Sequence, residues 1–168
     1  MTAMKKLPKF LDATIGPLCA GVFVVLLLDV LWGVFTRYLL GDQARWTEEL
    51  ARFLMVWLAF LGAALAYLRR QHLGVEILVD RMHPSARRVA LLVEHGIVFL
   101  FAVAVLVIGG GELFRERFVS GQTMPALGIL KAWQYLCLPV SGALISLVAV
   151  SHFAAVRAGA PDTEEVRP

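Results

Sequence analysis

The sequence predicts an all-α integral membrane protein: four transmembrane helices, with a short amphipathic helix at the membrane interface between the second and third. Three observations predict it. Four apolar runs, at about 15–40, 50–68, 89–113 and 132–156, fill more than half of the 168 residues. Each is near or above the roughly 20 helical residues that cross a hydrocarbon core. Hydrophobic residues make up 59% of the chain and charged residues 17%, with a mean hydropathy of +0.73, whereas soluble domains carry about 25% charged residues. Finally, the basic residues collect at the ends of the runs, as the positive-inside rule leads one to expect. The expected organisation is a membrane domain over 1–158 and a disordered polar tail over 159–168. What lies between the runs is too short for a soluble catalytic domain, so no enzyme is expected.

The first run begins after Lys9, and Pro17 falls in its early turns, where proline is tolerated. It continues to Tyr38 without a small-x-small cleavage site, so an uncleaved span is expected rather than a signal peptide. Asp29 interrupts the run. A charged residue at such depth is costly and seldom faces lipid. It reads either as part of an ion or substrate path or as a hydrogen-bonded residue facing another helix or subunit.

A short corner, Gly41–Trp46, leads to the second span. Thr47 is expected to cap that helix, with Glu48 and Glu49 in its first turn, where the helix dipole favours carboxylates. Glu48 precedes Arg52 by four residues, the favourable order for an ion pair. Together with Arg37 and Trp46, these residues are expected to fix the corner against headgroups and neighbouring helices. Further along, Ala59, Gly62, Ala63 and Ala66 form a small-residue stripe that lets two helices approach closely. The stripe is expected to pack on a neighbouring span, or to receive a helix of a partner subunit.

Between the second and third spans, His72, Glu76, Asp80 and His83 alternate at helical spacing with Val75, Leu78, Val79 and Met82. That pattern predicts the interfacial helix, ended by Pro84, with Ser85 capping the third span. The third helix is expected to run on to about Val119, roughly 52 Å for some 35 residues and beyond a 30 Å core. Its charged end Glu112–Arg117 then projects from the membrane. Gly109, Gly110 and Gly111 weaken a free helix, and close approach by another helix accounts for them. A turn-rich loop, 120–130, leads to the fourth span, which Pro139 should kink.

Of the 16 Lys and Arg residues, 10 fall on the side of the two termini and the 2–3 connection and 6 on the other, which places both termini in the cytoplasm. Tyr38, Trp46, Trp133 and Tyr135 are expected at the outer interface, and Phe10 and Tyr67 at the inner one. Cys19 and Cys137 fall at opposite ends of the spans and read as unpaired buried residues. His95 and His152 fall at similar depth. They could hold a haem between helices, but hydrogen-bonded histidines explain them more simply, and no cofactor or metal is expected.

Several segments in order carry a family resemblance: Arg37-Tyr38, Trp46-Thr47-Glu48-Glu49-Leu50-Ala51-Arg52, Trp57-Leu58-Ala59-Phe60-Leu61-Gly62-Ala63-Ala64 and His72-Leu73-Gly74-Val75-Glu76. Pro125-Ala126-Leu127-Gly128, Trp133-Gln134-Tyr135 and Pro139 continue the series. The chain resembles the small membrane subunit of tripartite ATP-independent periplasmic (TRAP) transporters, the DctQ-like family, over most of its length. The resemblance implies a bacterial inner-membrane protein with two partners, a large multi-span permease subunit and a periplasmic solute-binding protein. It implies a separate scaffold subunit in uptake of a carboxylate, either a C4-dicarboxylate or a sugar acid, driven by a sodium or proton gradient through the large subunit. Asp29, the small-residue stripe and Gly109–Gly111 are then candidates for contact with the large subunit. Glu112, Arg115, Arg117 and Pro125 are candidates for contact with the binding protein. The competing reading is a stand-alone homo-oligomeric proton-coupled exporter using Asp29.

Overall fold

The computed structural model describes residues 2–41, 44–69 and 84–157, with side chains over 11–41, 44–69 and 86–157. The body of the expected interfacial helix, Asp42 and Gln43 of the first corner, and the polar tail lie outside the described residues. The helices are α1 (Thr2–Leu39), α2 (Arg45–Leu68), α3 (Pro84–Phe101), a π-helical segment (Ala102–Gly109), α4 (Gly110–Val119), α5 (Ala132–Tyr135) and α6 (Cys137–Arg157). Four stretches are long and apolar enough to span a membrane: Leu11–Leu39, Arg45–Leu68, Ala86–Val119 and Ala132–Arg157. The all-α four-span fold is as the sequence predicts.

Span 1 buries one narrow stripe. Ile15, Cys19, Val22, Leu26, Asp29, Gly33 and Thr36 recede from the surface, at alternating steps of four and three. That is a heptad seam, the pattern of two helices wound about each other. The partner is α2, whose Leu54, Leu58, Leu61, Leu65 and Leu68 recede with the same alternation. The pair is antiparallel. Asp12 and Arg69 fix its far end, with Arg69 Nε donating to Asp12 Oδ1 at 2.6 Å. Cys19 and Cys137 are both buried and unpaired.

The spans do not all contact one another to the same extent. Span 1 packs on span 2, span 2 on span 4, and span 4 on span 3. The main core lies where spans 2, 3 and 4 meet, around Ala64, Tyr67, Leu68, Ala102, Leu106, Ile145, Val148 and Ala149. Arg88 Nη2 donates to the Arg157 carbonyl at 2.7 Å, satisfying the open end of α6.

Two glycines set the spacing of spans 3 and 4. A Cβ on Gly142 would sit 2.6 Å from Leu106 Cβ and 3.1 Å from the Ala102 carbonyl oxygen. A Cβ on Gly110 would sit 2.6 Å from Leu138 Cβ. Ala102, Leu106 and Gly110, four residues apart, therefore all face span 4. In an α-helix a four-residue step overshoots the turn by about 40°. The wider π turn reduces that drift and holds the three in line. In the fourth span, where Pro139 was expected to kink the helix, the helix breaks at Leu136, between α5 and α6. Leu136 still accepts from Val140 N at 3.3 Å, while proline offers no N–H to Tyr135.

Candidate functional site

The span 1–2 corner differs from the expected one in its chemistry. Helix α2 begins at Arg45, with extended Ala44 as its cap residue, so Thr47 is already inside the first turn. Its hydroxyl donates back to the Ala44 carbonyl at 2.7 Å rather than capping forward. Glu48 and Arg52 form no ion pair; among the described residues that role goes to Asp12 and Arg69. Glu49 instead reaches across the molecule. Its Oε2 accepts from the backbone N–H of Ala126 at 2.9 Å and of Leu127 at 3.0 Å. A residue expected to complement its own helix dipole thus pins the loop before span 4. Arg37 lies over the Tyr38 ring, 5.9 Å from its centroid.

The pinned loop has a defined form. Met124 N donates to Ile129 O and Gly128 N to Met124 O, both at 2.8 Å, and Lys131 N donates to Gln122 O at 2.8 Å. Gly128 has φ 68°, a conformation glycine adopts at little cost. Met124 is buried beneath it. Trp57 Nε1 donates to the Trp133 carbonyl at 3.3 Å, a second tie between α2 and α5. Of the residues expected to meet a soluble partner, Glu112, Arg115 and Pro125 are exposed. Arg117 is half-buried: it donates to Gln122 Oε1 at 3.1 Å and covers the Tyr135 ring.

Spans 2, 3 and 4 bring Tyr67, His95 and His152 together near the end at which α2 and α6 finish. Tyr67 was expected at the interface; it is buried, and its hydroxyl shares a 3.0 Å hydrogen bond with His95 Nδ1. The two imidazoles lie 5.3 Å apart, centroid to centroid, and Tyr67 is 5.7 Å from His152. The three rings form one hydrogen-bonded side-chain cluster. Tyr67→Phe is expected to cost about 1 kcal/mol and to lower the thermal midpoint of the purified protein, with no loss of helix content by circular dichroism.

The small-residue stripe on α2 faces outward, so of its two readings, a neighbouring span or a partner subunit, the described spans do not supply the first. Ala59 and Ala63 are exposed, and a Cβ on Gly62 meets nothing within 4 Å. The inward face of α2 belongs to Leu61, Ala64, Tyr67 and Leu68. Ala66 is half-buried between the two faces. Gly110 is likewise corrected: it is taken up by span 4 and is not free for a partner, whereas Gly111 has open space beside it. Gly109 is exposed. Asp29 is 5% exposed on the α1 seam, and neither carboxylate oxygen has a hydrogen-bond partner among the described residues.

Residues 6–158 match the family of tripartite ATP-independent periplasmic transporters, DctQ component. The chain belongs to that family. It is 30% identical over 140 residues to the sialic acid TRAP transporter small permease protein SiaQ of Vibrio cholerae serotype O1, covering 83% of this chain and 79% of the relative. It is 29% identical over 105 residues to the C4-dicarboxylate TRAP transporter small permease protein DctQ of Rhodobacter capsulatus, covering 62% and 46%. It is also 32% identical over 122 residues to the isethionate TRAP transporter permease protein DctMQ of Oleidesulfovibrio alaskensis. That match takes in 71% of this chain but 19% of the relative. Its homologues are transporter subunits, not enzymes. This DctQ-family chain is a multi-pass membrane protein and a small permease subunit.

Sequence reasoning missed the partners of Glu49, the Asp12–Arg69 pair, Gly142 and the burial of Gln134. Only the Asp12–Arg69 pair had a signal. Both residues sit about the same distance from the 40–44 corner, as antiparallel neighbours must.

Proposed function

We propose that this DctQ-family subunit is the scaffold of a three-part uptake system in the bacterial inner membrane. A large permease subunit moves the solute and couples it to a sodium or proton gradient. A periplasmic solute-binding protein delivers the solute, a small organic anion of the carboxylate class. Both termini lie in the cytoplasm, the side that carries 10 of the 16 Lys and Arg residues. The pinned loop and the exposed Glu112, Arg115 and Pro125 then lie in the periplasm, where the binding protein docks.

One observation carries the scaffold reading. Among the described residues nothing covers Ala59 and Ala63, which are exposed, and a Cβ on Gly62 meets nothing within 4 Å. A small-residue stripe in a membrane permits close helix approach, and a large-subunit helix suits it. The long DctMQ relative, in which a segment like this chain is about a fifth of one permease protein, supports the same partner. Asp29 supports a scaffold over an exporter, because its carboxylate is closed into the α1 seam rather than open to a path.

The test is co-expression with a tagged large subunit. Ala59→Phe with Ala63→Phe should abolish co-purification and solute uptake, while the variant chain alone stays monodisperse. Unchanged uptake would remove the stripe from the interface. Solute accumulation by vesicles holding this chain alone would overturn the scaffold reading.

A further inference from the structure

A pocket of about 130 Å³ opens between the start of α2, the pinned loop and α5, lined by Glu49, Arg52, Thr123, Met124, Pro125, Lys131 and Gln134. Three features of it are unexplained by the fold. Arg52 and Lys131 both line it, and neither side chain forms an ion pair or hydrogen bond among the described residues. Gln134 is 8% exposed and lines the same pocket. Its amide has no hydrogen-bond partner among the described residues and faces the pocket, where it is open to whatever fills it. The one carboxylate present, Glu49, is already engaged through Oε2 with two backbone N–H groups. Two cations without a partner among the described residues and an amide donor, against one carboxylate, leave the pocket with a net positive charge that favours an anion.

We propose that Arg52, Lys131 and Gln134 form a phosphate site that holds the headgroup of a membrane phospholipid. Position argues for a lipid over a soluble anion. Trp46 and Trp133, both exposed, stand at this end of the bundle, where tryptophans mark headgroup level. Arg52 also stands one turn above Met55, which is exposed on the same helix short of the Ala59–Ala63 stripe. A phosphate in the pocket therefore sits at the head of an apolar helix, and an acyl chain can leave it beside Met55. Glu49 Oε1, which carries no hydrogen bond among the described residues, is available in the same pocket to a headgroup ammonium or hydroxyl. The assignment requires the four-span placement but not the transporter role.

The experiment is native mass spectrometry of the purified, delipidated protein titrated with phosphatidylethanolamine in detergent. The wild-type chain should retain one tightly held lipid. Arg52→Gln with Lys131→Gln should weaken retention at least about ten-fold, as expected for loss of charge-assisted contacts. Arg52→Lys with Lys131→Arg should restore most of it. Gln134→Leu should weaken it with no change in net charge, which separates the site from general attraction of basic residues to headgroups. Thermal midpoints of all variants check that the fold is intact. Equal retention by wild type and the double variant overturns the proposal. So does inorganic phosphate binding with the same residue dependence when the lipid does not bind, which would make this a free-anion site. A loss of binding-protein docking with lipid retention unchanged would assign the pocket to a partner's carboxylate instead, and also overturns it.

Discussion

Gly142→Val is expected to disrupt the packing of spans 3 and 4. The added Cβ would lie 2.6 Å from Leu106 Cβ and 3.1 Å from both the Leu106 carbonyl carbon and the Ala102 carbonyl oxygen. Two of those three atoms are backbone, which no rotamer change can move. Overpacking commonly costs about 1–3 kcal/mol and sometimes more, and the backbone contacts place this site at the upper end. The damage would spread, because the same contact holds the core in which Ala102, Leu106, Ile145, Val148 and Ala149 meet. Gly62→Val is the matched control, since its Cβ enters open space. Fluorescence-detected size-exclusion after a heating series should show Gly142→Val aggregating well below wild type and Gly62→Val close to it. If both behave as wild type, the glycine contact is not what sets the spacing.

The spans were legible in the sequence because apolar runs of about 20 residues have few other uses. Orientation of the spans was much less so. In a soluble helix the polar face marks the outside, but in these spans both faces are apolar. Leu27, Leu28 and Leu31 are exposed while Ile15 is buried, and hydropathy cannot tell them apart. The informative residues are the exceptions to apolarity. Cys19, Asp29, Gly33 and Thr36 all fall on the α1 seam, so a search for small and polar residues at steps of three and four would have found that face. The same search leaves α2 open between a neighbouring span and a partner subunit, because Ala59, Gly62 and Ala63 answer to the same description yet point away from the described spans. Small residues mark a close contact and say nothing of which chain supplies the other side. Glu49 was hidden for a different reason. Its partners are the backbone N–H groups of Ala126 and Leu127, which no side-chain pattern encodes. Gly110 and Gly142 show the intermediate case: the first was suspected of a close contact from its neighbours Gly109 and Gly111, and the second stands alone among larger residues in α6.

Glu49→Ala is expected to free the loop before span 4 while leaving the spans in place. One carboxylate oxygen receives both the Ala126 and the Leu127 N–H, and charged acceptors make stronger bonds than neutral ones. The surroundings are half open to water, which lowers their worth to about 1–2 kcal/mol of local stability. The loss is local because the other restraints, the 2.8 Å bonds among Met124, Gly128 and Ile129 and from Lys131 to Gln122, close the loop on itself rather than onto α2. The loop would keep its turn but lose its seat. Hydrogen–deuterium exchange should then rise at Ala126 and Leu127 by about ten-fold for each 1.4 kcal/mol lost, with the α2 and α6 amides unchanged. Glu49→Gln should fall between the two, since its carbonyl can accept both bonds without the charge. In the assembled transporter a displaced loop should lower uptake even where the large subunit still co-purifies, because an anchored surface is replaced by one that must be ordered each time a partner binds. Unchanged exchange at Ala126 and Leu127 would show that the loop holds its place without Glu49, and that its shape comes from its own turns alone.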